Sequence, residues 1–382
     1  MILHASNSLV VPLAIVLLLH YWLYSKSVEA QPAPAPSSTN ASLFPAFFIF
    51  GDSLVDCGNN DYITLSLAKA NLAPNGIDFP SGAATGRFCN GKTSFDVLCD
   101  RIGLPYPPAS LAPTSRGPAI LRGLNYASGA AGILDGSGAN YIERLTFNEQ
   151  ITLFQQTVLQ LTVMLGRAAA TNLTHNSLFG FAIGSNDYIN NYLLLSNNST
   201  RTQYTPSQFV QLLMSTLTTQ FTTLYNWGAR KFLVSNIGPM GCIPYRLAQK
   251  SVDGSCVASD NALVKSFNKA LKNLTTSLPS SLPDAMFLYG NSYDIVYNLI
   301  QDPYPLGFNV VNEGCCGGGI YNGQLPCLPV IDSLCTNRSE YVFWDSFHPT
   351  AAINEILGNR SFAGSTSDIF PINVRQLSKV RI

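Results

Sequence analysis

Charge is scarce in this chain. Asp, Glu, Lys and Arg make up 12% of the 382 residues, and 22 acidic residues offset 22 basic ones to a formal net charge of zero. No Lys/Arg cluster offers nucleic acid an electrostatic footing, and the same balance argues against tight binding to anionic membranes. Histidine is scarcer still, with four in all. Two of them, His4 and His20, lie in an apolar leader, which leaves His175 and His348. Two imidazoles cannot build a His-rich catalytic metal site, and no His-Glu-x-x-His is present. No Cys-x-x-Cys pair occurs, so zinc ribbons are disfavoured. No Gly-x-Ser-x-Gly elbow occurs either, which disfavours the usual α/β-hydrolases. The run Gly317-Gly318-Gly319 sits among cysteines and prolines, not between a strand and a helix, and so is not a phosphate-binding loop. No metal or organic cofactor is expected.

What the chain does have is apolar surface to bury. Hydrophobic residues make up 46% of it, enough for a large core. Residues 1–30 read as a secretory signal, with an apolar stretch from Leu9 to Leu19 and a small residue at the end of Val28-Glu29-Ala30. A spanning helix wants roughly 20 apolar residues, and His20 interrupts this one. No integral membrane segment is therefore expected after cleavage. Asn-x-Ser/Thr sequons begin at Asn40, Asn172, Asn197, Asn198, Asn273, Asn337 and Asn359, as on a secreted, glycosylated surface. Nine cysteines fit an oxidising compartment, and their odd number leaves at least one thiol unpaired within the chain. Cys242 with Cys256 would close a short loop, and Cys315, Cys316, Cys327 and Cys335 crowd a Gly-rich segment that they are expected to staple.

Residues 31–43 form a Pro/Ala-rich lead-in, residues 44–365 a single domain, and residues 366–382 a polar tail. Continuous apolar runs predict strands over Ala46–Phe50, Ser177–Ile183, Lys231–Asn236 and Ala285–Tyr289, each buried on both faces. Helical stretches lie between them: Thr93–Ile102, Asn148–Gly166, Pro206–Trp227 with Thr205 as cap, Ala258–Ser277 and Tyr293–Gln301. Such alternation implies a parallel sheet between two helix layers, with ligands beyond the carboxyl ends of the strands.

Ser53 falls at such an end. It follows the first strand through Gly51 and Asp52, where a sharp turn into a helix would expose it beside free backbone N–H groups. The plainer alternative is that Asp52 or Ser53 only caps that helix. A serine hydroxyl needs a base to become a nucleophile. His175 follows a sequon and is expected on an exposed loop, so His348 is the strong candidate. Asp345 precedes it by three residues, a spacing that lets a carboxylate reach the other ring nitrogen within a turn. Pro349 then leads into a short helix over Thr350–Leu357. Asn186, in Gly184-Ser185-Asn186-Asp187 after the second strand, offers an amide donor to an oxyanion, although an Asn-Asp turn explains it equally simply. The small-residue loop Asn125–Gly132 offers a backbone N–H; a tight buried turn is the alternative there. Tyr188, Tyr192 and Tyr204, on a loop over Tyr188–Tyr204, either line a site or cover the core. A second candidate specificity loop spans Ile133–Leu145.

These blocks together resemble the GDSL esterase/lipase family within the SGNH hydrolases, specifically its plant branch. The matching residues are Phe50-Gly51-Asp52-Ser53-Leu54, Asn125-Tyr126-Ala127-Ser128-Gly129 through Gly132, Gly184-Ser185-Asn186-Asp187, and Asp345-Ser346-Phe347-His348-Pro349-Thr350. Thr85-Gly86-Arg87-Phe88 and Asn236 to Pro244 are also branch-like. The resemblance covers roughly residues 46 to 357. It implies a flavodoxin-like three-layer α/β/α sandwich and a secreted enzyme acting on lipid or cell-wall acyl esters. Ser53 would be nucleophile, Asp345 and His348 acid and base. Ser53, Gly132 and Asn186 would form the oxyanion hole, with Gly129 the rival to Gly132. An acyltransferase on the same triad and a non-catalytic wall- or lipid-binding protein are the alternatives. Cys57 and Cys89 stand where this branch is expected to carry other polar residues. Their pairing would tie the nucleophile turn to the Gly86-Arg87 loop.

Overall fold

The computed structural model describes residues 42–194, 200–329 and 333–382. The expected signal over residues 1–30 and most of the expected lead-in, with Asn40, Asn197 and Asn198, lie outside the described residues. The central sheet has five strands, β1 (Phe47–Gly51), β2 (Leu178–Ala182), β3 (Lys231–Ser235), β4 (Met286–Gly290) and β7 (Ile369–Phe370), side by side in that order. Strands β1, β2, β3 and β4 are mutually parallel and fall within one residue of the apolar runs that predict them. The segment around Asn125 flanks the free side of β1. Ile49 N–H donates to Leu124 O at 3.0 Å and Tyr126 N–H to Ile49 O at 2.7 Å, closing a parallel bridge. Counting that segment as the second strand in sequence, the order reads 2-1-3-4-5, the flavodoxin arrangement.

Alternation along the strands builds the two cores. Phe48, Phe50, Phe179, Phe181, Phe232 and Phe287 point to one face. They pack there under helices α2 (Phe147–Leu165), α4 (Pro206–Asn226) and α6 (Ala258–Ser277). Phe47, Ile49, Leu178, Leu233 and Leu288 point to the other face, against α1 (Ser94–Ile102). Helix starts are chemically explicit: Thr93, Thr146 and Thr205 each close a capping box with the residue three positions on, Asp96, Glu149 and Gln208.

Several expectations are corrected. Ser53 does not open a helix. Asp52 O accepts from Val55 N–H and Asp56 N–H, and the turn ends there. The Asp56 carboxylate takes the N–H groups of Gly58 and Asn59, diverting donors a helix would need. His175 is on no exposed loop: it is half-buried in the last turn of α3 (Arg167–Asn176). The expected tail, residues 366–382, supplies β7 (Ile369–Phe370), antiparallel on the β4 edge. Val374 and Leu377 beyond it are buried in the second core.

A small parallel pair, β5 (Val310–Gly314) with β6 (Tyr341–Phe343), precedes α8 (Ala351–Ala363). Disulfides Cys315–Cys335 and Cys316–Cys327 staple the Gly-rich segment after β5, and Cys242–Cys256 spans the short helix α5 (Pro244–Lys250) after β3. Cys57 and Cys89 are not paired. Each thiol donates to a backbone carbonyl instead, Cys57 to Pro107 at 3.6 Å and Cys89 to Gly91 at 2.9 Å. Cys99 is the third free thiol, buried beneath the sheet.

Candidate functional site

Where the order reverses, between β1 and β2, an open α/β sheet has a crevice at its carboxyl edge. Ser53 follows β1 and Asn186 follows β2, so both stand at that crevice. Gly51 makes the close approach possible. Its φ is +149°, and a Cβ there would lie 2.2 Å from Ala182 O on the neighbouring strand. Gln150, fully buried on α2, grips the same peptide: Gly51 N–H donates to its Oε1 and its Nε2 donates to Gly51 O, both at 2.9 Å. Nothing in the sequence pointed to Gln150, because the contact spans 99 positions.

His348 arrives from the other end of the chain. After β6 the backbone folds back, with Trp344 N–H donating to His348 O at 2.8 Å. Asp345 Oδ1 accepts from the N–H groups of Phe347 and His348 at 2.9 and 2.8 Å, which tightens the turn. The same carboxylate lies 2.8 and 2.9 Å from His348 Nδ1. His348 Nε2 stands 2.7 Å from Ser53 Oγ. Nδ1 therefore carries the proton toward Asp345, and Nε2 is free to accept from the serine. Phe88, from the Thr85–Phe88 stretch, packs its ring 5.2 Å from the imidazole. His175 immediately precedes β2, at the amino end of the sheet and a full strand away.

Asn186 lines the cavity. Its Nδ2 donates one hydrogen to Ala131 O at 2.9 Å and its Oδ1 accepts from Asn190 at 2.5 Å, leaving the second amide hydrogen available. In the small-residue loop, Gly129 N–H is committed to buried Asp56 at 3.0 Å. The loop residue that lines the cavity is Ala130, held at φ +70°. Gly132 is a packing requirement: a Cβ there would meet Ser137 Cβ at 2.4 Å and the Asp187 carboxylate at 2.8 Å. Asp187 anchors this loop by accepting from Ile133 N–H, Leu134 N–H and Ser137 Oγ. Asn59 and Asn60 hold its other end through the carbonyls of Asn125, Ala127 and Gly129. Tyr188 and Tyr192 belong to the core, against Phe209, while Tyr141 of the other candidate loop reaches the cavity.

Carboxyls buried under the site are hard to ionise. Burial raises Asp52 to about 7, opposed by Leu54 N–H and by His348. Its Oδ2 is buried without a partner. Burial likewise lifts Asp56 and Asp187 to about 6. Arg87 is paired instead, bidentate to Asp96 at 2.7 and 2.8 Å.

A doubly wound sheet carrying a serine, histidine and aspartate in one hydrogen-bonded row is the architecture of a hydrolase. The GDSL-like lipase/acylhydrolase family profile matches residues 47–361, and the chain belongs to that family. Among its relatives, GDSL esterase/lipase 7 of Arabidopsis thaliana is 45% identical over 90% of this chain and 94% of its own length. GDSL esterase/lipase At1g71691 of the same plant is 44% identical over 92% and 91%. The chain is a carboxylic ester hydrolase. Among the described residues, no helix is long and apolar enough to cross a membrane.

Proposed function

We propose that this is a secreted serine esterase that cleaves acyl esters through a covalent acyl-enzyme. The observation that carries the reading is the 2.7 Å contact between Ser53 Oγ and His348 Nε2, with Asp345 2.8 Å behind the ring. His348 Nε2 removes the Ser53 proton as Oγ attacks the ester carbonyl. Asp345 holds the tautomer and stabilises the imidazolium that forms. The oxyanion is met by Ser53 N–H, the second amide hydrogen of Asn186, and an N–H of the loop ending at Gly132. His348 returns its proton to the departing alcohol, and water then releases the acid by the same route. Secretion is supported by the apolar leader, the sequons and the disulfides Cys242–Cys256, Cys315–Cys335 and Cys316–Cys327. Sequon residues Asn172, Asn273 and Asn337 are exposed.

The test is Ser53→Ala. Turnover of p-nitrophenyl esters should vanish while the circular dichroism spectrum is kept, and a serine-directed organophosphonate should label only the unsubstituted enzyme. Hydrolysis that persists in the variant would refute the assignment. A pure binder would not be labelled.

A further inference from the structure

The cavity at Ser53, of 240 Å³, continues well past the triad. Its lining comes from successive strand ends: Ser53 after β1, Ile183 after β2, Ile237 after β3, then Ser292 and Val296 on α7 (Ser292–Gln301) after β4. Since β1 to β4 are neighbours in order, the trough crosses three strand spacings of ~4.8 Å, or ~14 Å. Away from Ser53 this wall is largely apolar, with Ile237 3% exposed, Met240 2% and Val296 7%, and its polar members there are Ser235, Asn236 and Ser292. Of these, the amide of Asn236 is already satisfied. It donates to Tyr289 Oη at 2.7 Å and to Asn291 at 3.1 Å, and its Oδ1 accepts from Tyr293 N–H at 2.9 Å. A sugar would meet only the Ser235 and Ser292 hydroxyls there, against a wall that is otherwise aliphatic. The cavity is also lined by half-exposed Lys69 and Tyr141, from loops outside the strand ends.

We propose that the trough from Ser53 toward β4 is the acyl site, that it takes a linear, medium-length aliphatic acyl group, and that Ser292 and Val296 set the length. The alcohol leaves past Lys69 and Tyr141. This rests on the esterase reading above. An extended chain advances ~1.25 Å per carbon, from the ~1.5 Å bond and tetrahedral angle. A ~14 Å trough therefore holds about eleven carbons, so a decanoyl chain fits and a palmitoyl chain does not.

Two ester series on the purified full-length protein test it: a fixed p-nitrophenol with acyl chains from acetate to palmitate, and a fixed acetate with lengthening alcohols. In the first series kcat/KM should climb about fourfold per methylene, the value of burying one, to a maximum near decanoate. The second series should be nearly flat. Ser292→Phe fills the far end and should move the maximum to shorter chains, lowering the decanoate-to-butyrate ratio at least tenfold. Val296→Ala opens that end and should move the maximum the other way, which keeps the test alive if the Phe variant does not fold. Turnover with a maximum at acetate, with length dependence only in the alcohol series, or with an optimum unmoved by both variants would overturn the acyl assignment alone. No turnover in either series, with no phosphonate labelling of Ser53, would sink the esterase reading and this proposal with it.

Discussion

Gln150→Leu should destabilise the protein and slow it, although Gln150 is expected to touch no substrate. The buried amide of Gln150 makes three hydrogen bonds: it accepts from Gly51 N–H and donates to Gly51 O and Leu145 O, at 2.9, 2.9 and 3.1 Å. Leucine fills similar space and replaces none of them. Gly51 O keeps a second donor, Ser128 N–H at 3.0 Å, so its loss is partial. Gly51 N–H is left buried and unpaired, which costs about 1–3 kcal/mol, and the weakened carbonyls add about 1 more. The total of about 2–4 kcal/mol corresponds to a Tm lower by about 3–6 °C in a domain of this length. Ser53 stands only two residues beyond the released peptide. A displacement near 1 Å costs on the order of 10² in rate, so kcat should fall about 10- to 100-fold, with KM changed much less. Differential scanning calorimetry and steady-state hydrolysis of a p-nitrophenyl ester read both effects. A Tm within 1 °C of the parent together with kcat within twofold would show that the peptide clamp positions nothing.

Asp345→Asn keeps an oxygen for the Phe347 and His348 N–H groups but disturbs the ring tautomer, so kcat should drop by about 10⁴ with the fold intact; a loss under tenfold would remove Asp345 from the mechanism. Asn186→Ala should lower kcat by about 10²–10³, and a loss under threefold would take Asn186 out of the oxyanion hole. Asp52 supplies a test against pH. Burial holds its folded carboxyl near 7, above the unfolded 3.8, so between those values the folded chain keeps a proton that the unfolded chain has lost. Its contribution is complete below about pH 4 and is lost as pH rises through 7. The parent's stability to urea should therefore fall from pH 4 to 8 relative to Asp52→Asn, by up to about 4 kcal/mol. Parallel stability curves for the two proteins would contradict a proton held at Asp52.

The four parallel strands were legible because a strand buried on both faces must be apolar at every position, as Phe47–Gly51 is. The long helices were legible through their period and their caps, such as Thr205 before Pro206. Ser53 and His348 stood out because few residue types can do their chemistry, and His348 was the one histidine not accounted for by the leader or a sequon. Other features were not legible. The turn after Ser53 looked like a helix start until Asp56 took its donors. The final residues looked polar along the chain, yet Ile369 and Phe370 dock on the β4 edge and Val374 and Leu377 in the second core.

Local composition was thus sufficient for the four parallel strands, the long helices, the fold class and the reactive residue types, since periodicity, caps and side-chain chemistry act over a few positions. Tertiary structure alone decided how Cys315, Cys316, Cys327 and Cys335 pair and that Cys57 and Cys89 do not, that Gln150 and Asp187 brace the two loops, and that Ser53 and His348 lie 2.7 Å apart across 295 positions of sequence. It also laid the apolar trough across β2, β3 and β4. The physical reason is that contacts between segments far apart in the chain are set by how the layers close, and no local pattern records that geometry.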